Sequence, residues 1–499
     1  IRTPVSDITM QVHLFIILSS VTLLLPVIHS STKIHFPMLM VISFDGFSHM
    51  LFNKTNSPNL MKLKNGGAHV EKLKTVFVSK TLPTHYSIAT GVYPENHGVI
   101  DDHIFNQQLH LEYTPTNQSA WMFSYNKSIL PIWLLNQQAN ENRHSGTLHW
   151  AGGSFKIHGN KPTFSTPLTS KSNETFTEKI DTALNWYSNS KTPANLVMLY
   201  FNEPKETIQM FGLHSNETLN VINKIDDAIG YLLEKMKNNS LFNGMNMMVT
   251  TGSGMIDIPK DNKVKLKSDL GKDPYTFRSC SPVLQVTLPS DDRRIFLFMK
   301  LNDWAKNKNL SVYYKTEVPG QLHYRDNPRI SDVVLVADPG YSFPDFECGN
   351  VTYKSSNGYS SEVNEMYGFF LGYGPAFQKS VKIEDASILD IFPLMAHLLS
   401  LKIPFNHGDL KVLSPLLQPS FVQLIEANKP MALYISIIGM VVIITSCCCM
   451  YKGLLYLKRY QRKKELTKYL SEEDLQDESS FEGFDEGHLL LPSTFEDLK

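Results

Sequence analysis

The sequence is poor in cysteine and has almost no net charge. Its 499 residues include five cysteines, and 47 Lys and Arg stand against 48 Asp and Glu. So few cysteines exclude a small scaffold held together by several disulfides. No cluster of Lys and Arg interleaved with aromatic residues occurs before residue 450, which excludes nucleic acid as the expected ligand. The hydrophobic share of 42% is typical of a globular chain.

Two apolar segments predict the topology. Residues 10–30 have a short apolar core that ends in small residues, typical of a secretory signal, with residues 1–9 upstream of it. No Lys or Arg precedes the apolar core, so an uncleaved anchor is the alternative. Residues 431–451 carry no charge and are long enough to cross a hydrocarbon layer of roughly 30 Å. The Lys and Arg at 452–464 favour a type I orientation over a buried core helix.

The segment between these two, residues 31–428, is predicted to be a glycosylated ectodomain at the cell surface or in an endosomal membrane. Cys280 and Cys348 are its only cysteines, and they permit one disulfide in an oxidising compartment. Sequons for Asn-linked glycosylation lie only in this segment, at Asn53, Asn117, Asn126, Asn173, Asn216, Asn238, Asn309 and Asn350.

Residues 452–499 are predicted to form a disordered cytoplasmic tail, because the part after residue 471 is dominated by carboxylates. In this tail, Asp485, Leu489 and Leu490 match an acidic dileucine sorting signal of the kind that clathrin adaptors bind. An incidental Leu-Leu pair is the alternative. Cys447, Cys448 and Cys449 are either palmitoylation sites or small lipid-facing residues.

Alternating apolar runs and amphipathic stretches predict the fold of the ectodomain. Buried strands are expected at 38–44, 196–201, 245–250, 333–337 and 368–371, and helices at 218–237 and 386–399, the second kinked by Pro393. Strands separated by helices indicate a doubly wound α/β fold with a mostly parallel sheet. In that class ligands bind beyond the carboxyl ends of the strands.

Several short motifs occur along the ectodomain: MVISFDGF at 40–47, SKTLPTHYSIATGVYPENHGVID at 79–101, PIW at 131–133, WAG at 150–152, GYGPAF at 372–377 and HGDL at 407–410. Together they resemble the motifs of the ectonucleotide pyrophosphatase/phosphodiesterases, whose fold is alkaline-phosphatase-like. The resemblance implies hydrolysis of nucleotide or lipid phosphodiesters with two zinc ions and a threonine nucleophile. On this reading Thr81 is the nucleophile and Asp45 a metal ligand. A helix-capping hydroxyl and an Asp-Gly turn are the structural alternatives.

Most other positions of the family's zinc constellation have changed. Lys205 and Gln209 stand where the resemblance implies Asp and His, Gly252 and Ser253 where it implies Asp and His, and Asn357 where it implies His. Two zinc sites need more His, Asp or Cys ligands than Asp45 and Thr81 supply. Asp102 replaces the asparagine that binds a phosphoryl oxygen and presents negative charge to an anion. Lys80, next to Thr81, is a predicted substrate-binding residue.

The sequence therefore predicts a type I membrane glycoprotein that has lost zinc-dependent catalysis, with no cofactor expected. It would bind an extracellular protein, a nucleotide or a lipid ligand, and Lys205 would supply the missing metal charge near Asp45 or Asp102. One alternative is an active phosphodiesterase acting through Thr81, with two zinc ions or, without them, with His85 as base. Another is a sorting or cargo receptor with an empty cleft.

Overall fold

The computed structural model describes residues 36–106, 109–115, 117–168, 174–270, 272–347, 353–419 and 429–473. The chain divides into two units, Ile1–Gln418 and Pro419–Lys499, and each is described by itself. The signal segment at 10–30, Asn173, Cys348, Asn350 and the dileucine residues lie outside the described residues. The Cys280–Cys348 disulfide therefore stays a prediction.

The strands of the first unit, in chain order, are β1 Leu39–Phe44, β2 Ala68–Lys74, β3 Ile104–Asn106, β4 Leu111–Tyr113, β5 His144–Leu148, β6 Phe164–Thr166, β7 Ala194–Phe201, β8 Asn246–Thr250, β9 Ile256–Asp257, β10 Thr276–Arg278, β11 Val283–Thr287, β12 Leu310–Tyr314, β13 Val333–Ala337, β14 Ser355–Ser356, β15 Gly368–Tyr373 and β16 Val381–Ser387. Eight of them form one sheet in the order β16-β2-β15-β8-β1-β7-β5-β6. All neighbours in this sheet are parallel except β15, which runs antiparallel to β2 and β8.

The helices of this unit are α1 His49–Lys54, α2 Pro58–Gly66, α3 Thr81–Thr90, α4 Pro94–His97, α5 Ala120–Phe123, α6 Ile132–Ala139, α7 Phe176–Tyr187, α8 Lys205–Phe211, α9 Asn216–Lys237, α10 Lys267–Leu270, α11 Arg294–Ala305, α12 Ile391–Leu398 and α13 Leu410–Leu413. Two core clusters cover the two faces of the large sheet. On β1, Leu39 and Val41 belong to one cluster and Met40 and Ile42 to the other. A strand buried on both faces explains the unbroken apolar run at 38–44.

The amphipathic pattern at 218–237 forms α9, and its N-terminus has a clear local cause. The Ser215 side chain accepts a hydrogen bond from the Thr218 backbone N–H at 3.1 Å, which caps the helix. Ile222, Ile225 and Leu232 are buried against the sheet, as the pattern predicts. Leu219 was expected on the same apolar face, but it is 42% exposed, because the first turn extends past the edge of the core.

Two strand predictions need correction. The strand at 333–337 is β13, but it lies in a separate four-stranded antiparallel sheet with the order β10-β11-β13-β12. The strand at 368–371 is β15 of the large sheet, but it is antiparallel. Apolar content predicts burial, whereas strand direction depends on how the chain returns to the sheet, which a short apolar run does not encode.

The helix predicted at 386–399 is confirmed over 388–398, but its start needs correction. Residues 381–387 form β16, a single 3₁₀ turn follows, and α12 begins only at Ile391. Pro393 therefore lies in the first turn of α12, where its missing N–H costs no hydrogen bond, and it starts the helix without kinking it.

The second unit contains α14, a helix over Lys429–Glu473. The stretch Met440–Lys468 is long and apolar enough to cross a membrane, judged by length and composition. This supports one candidate span that overlaps the predicted 431–451. The helix extends to Glu473, into the segment predicted to be disordered, and Leu, Lys, Arg and Glu, which are strong helix formers, dominate residues 454–470. The disorder of the tail stays a prediction.

Candidate functional site

The site lies at the carboxyl ends of three adjacent parallel strands. Asp45 follows β1, and its backbone N–H donates to Phe201 O at the end of β7, at 3.0 Å. The Lys205 N–H donates in turn to Asp45 O at 2.9 Å, which brings the start of α8 against Asp45. Gly46 permits this approach: its φ is +78°, and a Cβ there would lie 2.9 Å from Lys205 Cα.

Thr81 is the first residue of α3, and its hydroxyl faces Asp45. Thr81 Oγ1 donates to Asp45 Oδ2 at 2.6 Å, and the Tyr200 hydroxyl donates to the same oxygen at 2.9 Å. The Thr81 hydroxyl thus donates its hydrogen bond to the side chain that follows β1, which excludes helix capping as its main role. The sequence analysis did not identify Tyr200, because a tyrosine within an apolar strand is not distinguishable by pattern from the aromatic residues of the core.

Lys205 reaches this pair directly. Its ammonium donates to Thr81 Oγ1 and lies 3.5 Å from Asp45 Oδ2. The contact with Asp45 is the one expected from the sequence. Because α8 begins at Lys205, the side chain leaves the helix at its first turn and points back to the end of β1.

The electrostatics of the pair favour both charged forms. Burial of Asp45 raises its pKa, but the charge of Lys205 and the hydrogen bonds from Thr81 and Tyr200 outweigh burial, so the pKa of Asp45 is lowered. Burial likewise lowers the pKa of Lys205, but Asp45 and Asp102 outweigh it, so the pKa of Lys205 is raised. At neutral pH the site therefore holds an aspartate and an ammonium.

Asp45 has one oxygen that the ammonium does not satisfy. Asp45 is fully buried, and its Oδ1 accepts no hydrogen bond from the described part of the chain. A buried carboxylate oxygen without a partner is costly. The Lys205 ammonium thus compensates the charge of Asp45 through Oδ2 and leaves Oδ1 without a donor among the described residues.

Asp102 and Gln209 lie near the pair. Asp102 Oδ1 accepts a hydrogen bond from the Leu82 backbone N–H at 2.7 Å, at the N-terminus of α3. A cavity of about 110 Å³ is lined by Thr81, Asp102, Tyr200, Lys205 and Gln209, together with Pro115, Leu168, Asn202 and Glu206. A carboxylate and an ammonium therefore face the same small space, and an anion entering it meets opposing fields.

The remaining changed positions cluster beyond β8. The Asn357 amide donates to Ser253 Oγ at 3.2 Å, so the structure brings these two residues together. The position of Gly252 is closed to any larger side chain, because a Cβ would lie 2.4 Å from Thr84 Oγ1 and 2.7 Å from His85 Cε1. A carboxylate at 252 would need both neighbours to move.

This donor set does not fit two zinc ions. In the described ranges, no group of three or more His, Cys, Asp and Glu residues could hold a metal ion. Around Asp45 the available groups are its own carboxylate, the hydroxyls of Thr81 and Tyr200 and the ammonium of Lys205, and an ammonium has no lone pair for a metal. The chemistry open to these residues is therefore that of their own hydroxyl, carboxylate and ammonium groups.

Lys80 occupies a different environment from the one predicted. Its ammonium donates to Asp101 at 3.0 and 3.1 Å and to Cys280 O at 2.8 Å. It does not line the cavity at Thr81. These three acceptors use all its donors, so the geometry offers no support for substrate binding by Lys80.

The histidines of the motifs pack locally. His85 Nε2 is 2.8 Å from Ser43 Oγ and its Nδ1 is 2.8 Å from Thr81 O, so neither ring nitrogen reaches the Thr81 hydroxyl. This geometry gives no support to His85 as a base for Thr81, and burial lowers the pKa of His85. His97 bonds Ser87 Oγ at 2.9 Å, and the His407 ring lies 4.9 Å from that of Tyr93.

The mostly parallel sheet, with a threonine and a buried aspartate at the ends of its strands, defines an α/β protein of the alkaline-phosphatase-like class. The profile of the family described as type I phosphodiesterase / nucleotide pyrophosphatase matches residues 39–360, and the chain belongs to this family.

Individual relatives agree with this assignment. The bis(5'-adenosyl)-triphosphatase ENPP4 of Pongo abelii is 32% identical over 415 residues, which cover 83% of this chain and 88% of that protein. Ectonucleotide pyrophosphatase/phosphodiesterase family member 5 of Homo sapiens is 31% identical over 375 residues, or 74% of this chain and 76% of that protein. A solved structure of murine ENPP5, an inactive Thr-to-Ala variant in complex with AMP, superposes with a TM-score of 0.70 at 31% identity and covers 77% of this chain and 100% of that one.

Proposed function

We propose that this chain is a membrane glycoprotein whose ectodomain binds a ligand and has lost zinc-dependent hydrolysis. The observation that carries the proposal is the Lys205 ammonium, which contacts both Thr81 Oγ1 and Asp45 Oδ2. These are the two groups that the family resemblance assigns to the nucleophile and a metal ligand. A permanent cation at that point supplies the charge that Asp45 needs and repels a second cation.

The closed position at Gly252 supports the same proposal independently. The space for a side chain there is filled by Thr84 and His85, both fully buried. Because tightly packed cores resist even small added groups, the packing has adapted to the absence of a ligand at 252. Loss of metal binding therefore involves the packing around the site as well as the ligands themselves.

A nucleotide is the first ligand to test. A murine relative is solved with AMP, and nucleotide-acting relatives are similar over most of this chain. Lipid head groups and extracellular proteins are further candidate ligands. The type I orientation, glycosylation, the Cys280–Cys348 disulfide and recognition of the dileucine signal by adaptors belong to the same proposal, as does residence at the cell surface or in endosomes.

A second candidate function is zinc-independent hydrolysis through Thr81. The 2.6 Å hydrogen bond from Thr81 Oγ1 to Asp45 Oδ2 favours it, because Asp45 can take the hydroxyl proton. Oγ1 would then bond to phosphorus as the ester P–O bond breaks, and the leaving oxygen would take the proton held by Asp45. Water would then displace Oγ1 from phosphorus, which restores the Thr81 hydroxyl and releases the phosphate product, with Lys205 next to Oγ1 in both steps. The lowered pKa of Asp45 makes it a weak base, which is why binding without turnover is the leading proposal.

The test uses the full-length glycosylated protein in detergent. AMP binding is measured by calorimetry, and hydrolysis is measured on a diadenosine polyphosphate with and without a zinc chelator. We expect saturable AMP binding and no turnover. Turnover that resists the chelator and disappears in Thr81→Ala would establish the second candidate. Turnover that the chelator abolishes would contradict both proposals, and the absence of AMP binding would exclude AMP as the ligand.

A further inference from the structure

A larger cavity of about 750 Å³ lies between α7 and α9. We call it the α7–α9 cavity. It is lined by Phe176 and Lys179 from α7, by Asp227 and Tyr231 from α9, and by Glu206 from α8, among others. Glu206 and Asn202 also line the 110 Å³ cavity at Thr81, so the two spaces are neighbours. The family motifs quoted above contribute none of its lining residues.

Lys179 is the unusual group in this cavity. It is only 6% exposed, yet within the described part of the chain its ammonium has no hydrogen bond and no ion pair. The ammonium faces the ring of Phe201, whose centroid is 5.6 Å from Nζ. Burial lowers the pKa of Lys179, although Glu174, Glu206 and Glu203 oppose this. The Lys179 side chain is largely buried and its ammonium has no acceptor among the described residues, so an acceptor brought by a ligand would stabilise the charge.

Two of the carboxylates in the cavity are already engaged. Glu203 accepts hydrogen bonds from Thr207 N and Oγ1 at 3.1 and 2.9 Å, and Glu174 Oε2 lies 2.8 Å from His149 Nε2. The side-chain carboxylates of Glu206 and Asp227, by contrast, have no hydrogen bond or ion pair with any described residue. The cavity therefore presents one ammonium without an acceptor and two carboxylates without a donor among the described residues.

We propose that the α7–α9 cavity binds a small zwitterion, with its anionic group on Lys179 and its ammonium on Glu206. A simple anion would satisfy Lys179 but meet Glu206 and Asp227, and a simple cation would leave Lys179 unpaired. Phe176 and Tyr231 provide apolar surface for the carbon chain between the two charges. The inference holds whether or not the neighbouring site has lost hydrolysis.

The test is a series of ω-amino acids of increasing length, which measures the spacing between the two charges. Glycine, γ-aminobutyrate and 6-aminohexanoate are titrated into the full-length protein by calorimetry, with butyrate and butylamine as probes of single charge. We expect saturable binding of at least one ω-amino acid, about tenfold tighter than either single-charge probe. No saturable binding of any of them at about 10 mM would overturn the proposal.

Variants of the lining residues distinguish binding in the α7–α9 cavity from nonspecific binding elsewhere on the protein. Lys179→Met and Glu206→Gln are each expected to weaken zwitterion binding about tenfold, whereas Lys191→Met, at an exposed lysine beyond α7, leaves it unchanged. Without ligand, the thermal midpoint of Lys179→Met should equal or exceed that of the parent, because an unsatisfied buried charge is removed. A large fall in that midpoint, or butyrate binding as tight as that of the zwitterion, would contradict the proposed site.

Discussion

Among the residues that the structure describes, two lysines pair with fully buried aspartates, and the two pairs differ in how completely each is satisfied. Lys80 and Asp101 are 3.0 Å apart and share a second hydrogen bond, and Lys80 also donates to Cys280 O. Lys205 and Asp45 are 3.5 Å apart, Lys205 also bonds Thr81, and Asp45 Oδ1 has no donor within the described residues. The first pair is complete in itself, whereas the second lies beside a cavity and retains an unused oxygen.

This difference separates an ion pair that stabilises the fold from a pair that lies at the candidate functional site. Burial raises the pKa of Asp101 despite its contact with Lys80, whereas the pKa of Asp45 is lowered because Lys205, Thr81 and Tyr200 together outweigh burial. The Lys80–Asp101 pair links α3 to the backbone at Cys280. The Lys205–Asp45 pair places a cation where the family resemblance implies a metal, so its role is charge compensation at the end of the sheet.

The largest expected effect is that of Lys80→Met. It leaves Asp101 buried without a cation, which should cost about 3–5 kcal/mol of unfolding free energy. Urea unfolding followed by tryptophan fluorescence measures this loss. Adding Asp101→Asn should recover part of it, and a loss no greater than that of Lys205→Met would remove the distinction between the two pairs.

Lys205→Met should cost less, about 1–3 kcal/mol, because Asp45 keeps its hydrogen bonds from Thr81 and Tyr200 and the cavity admits water. The same unfolding measurement applies, with Lys191→Met at an exposed site as the matched control. If the two lysine variants unfold alike, Lys205 does not compensate the charge of Asp45.

Acid titration should distinguish the two aspartates, because stability changes with pH in opposite directions for Asp45 and Asp101. The folded pKa of Asp45 lies below its ordinary value of 3.8, so its contribution is present above about pH 3.8 and is lost as pH falls through the lowered pKa. For one such group, the free energy of unfolding changes by at most about 1.4 kcal/mol per pH unit. Asp101, with a raised pKa, should lose stability as pH rises from 3.8 through that raised value.

Unfolding of Asp45→Asn and Asp101→Asn from about pH 2 to 6 covers the pH ranges in which both aspartates are expected to change the stability. The deficit of Asp45→Asn relative to the parent should shrink below pH 3.8, whereas that of Asp101→Asn should shrink as pH rises above it. Parallel pH profiles for the two variants would contradict the assignment.

The smallest expected effect is that of Tyr200→Phe, about 1 kcal/mol. It removes one of the donors to Asp45 Oδ2 without changing the apolar ring. The loss should nearly vanish in an Asp45→Asn background, because the charged acceptor is gone. An undiminished loss there would mean that the hydroxyl acts through another contact.

Sequence patterns predicted the sheet class, the position of the site and the contact of Lys205 with Asp45. Those features depend on local runs such as 38–44 and on short motifs whose spacing places them at strand ends. The antiparallel direction of β15, the separate sheet of β13 and the helix beyond residue 452 were not predicted. Strand direction and sheet membership depend on long-range pairing of strands, which a local pattern does not encode. The helix beyond residue 452 was not predicted because the same charged residues are common in exposed helices and in disordered segments.

Within the site, the sequence missed features that require two distant segments to meet. Tyr200 contacts Asp45 across 155 positions, and Lys80 reaches the Cys280 carbonyl across 200. The packing of Thr84 and His85 into the space at Gly252 was equally invisible. An alternating pattern reports which side of a strand is buried, but it does not report which polar groups face each other there.

The most direct test of the proposed loss of zinc binding is the zinc content per chain. Elemental mass spectrometry is applied to the full-length protein, purified without a histidine tag and equilibrated with micromolar zinc. The Lys205→Asp/Gln209→His variant serves as the positive control, because it adds a carboxylate and an imidazole to Asp45 and should bind about one zinc ion. We expect a zinc content near zero for the parent protein, whereas about two ions per chain would contradict the loss of the metal site.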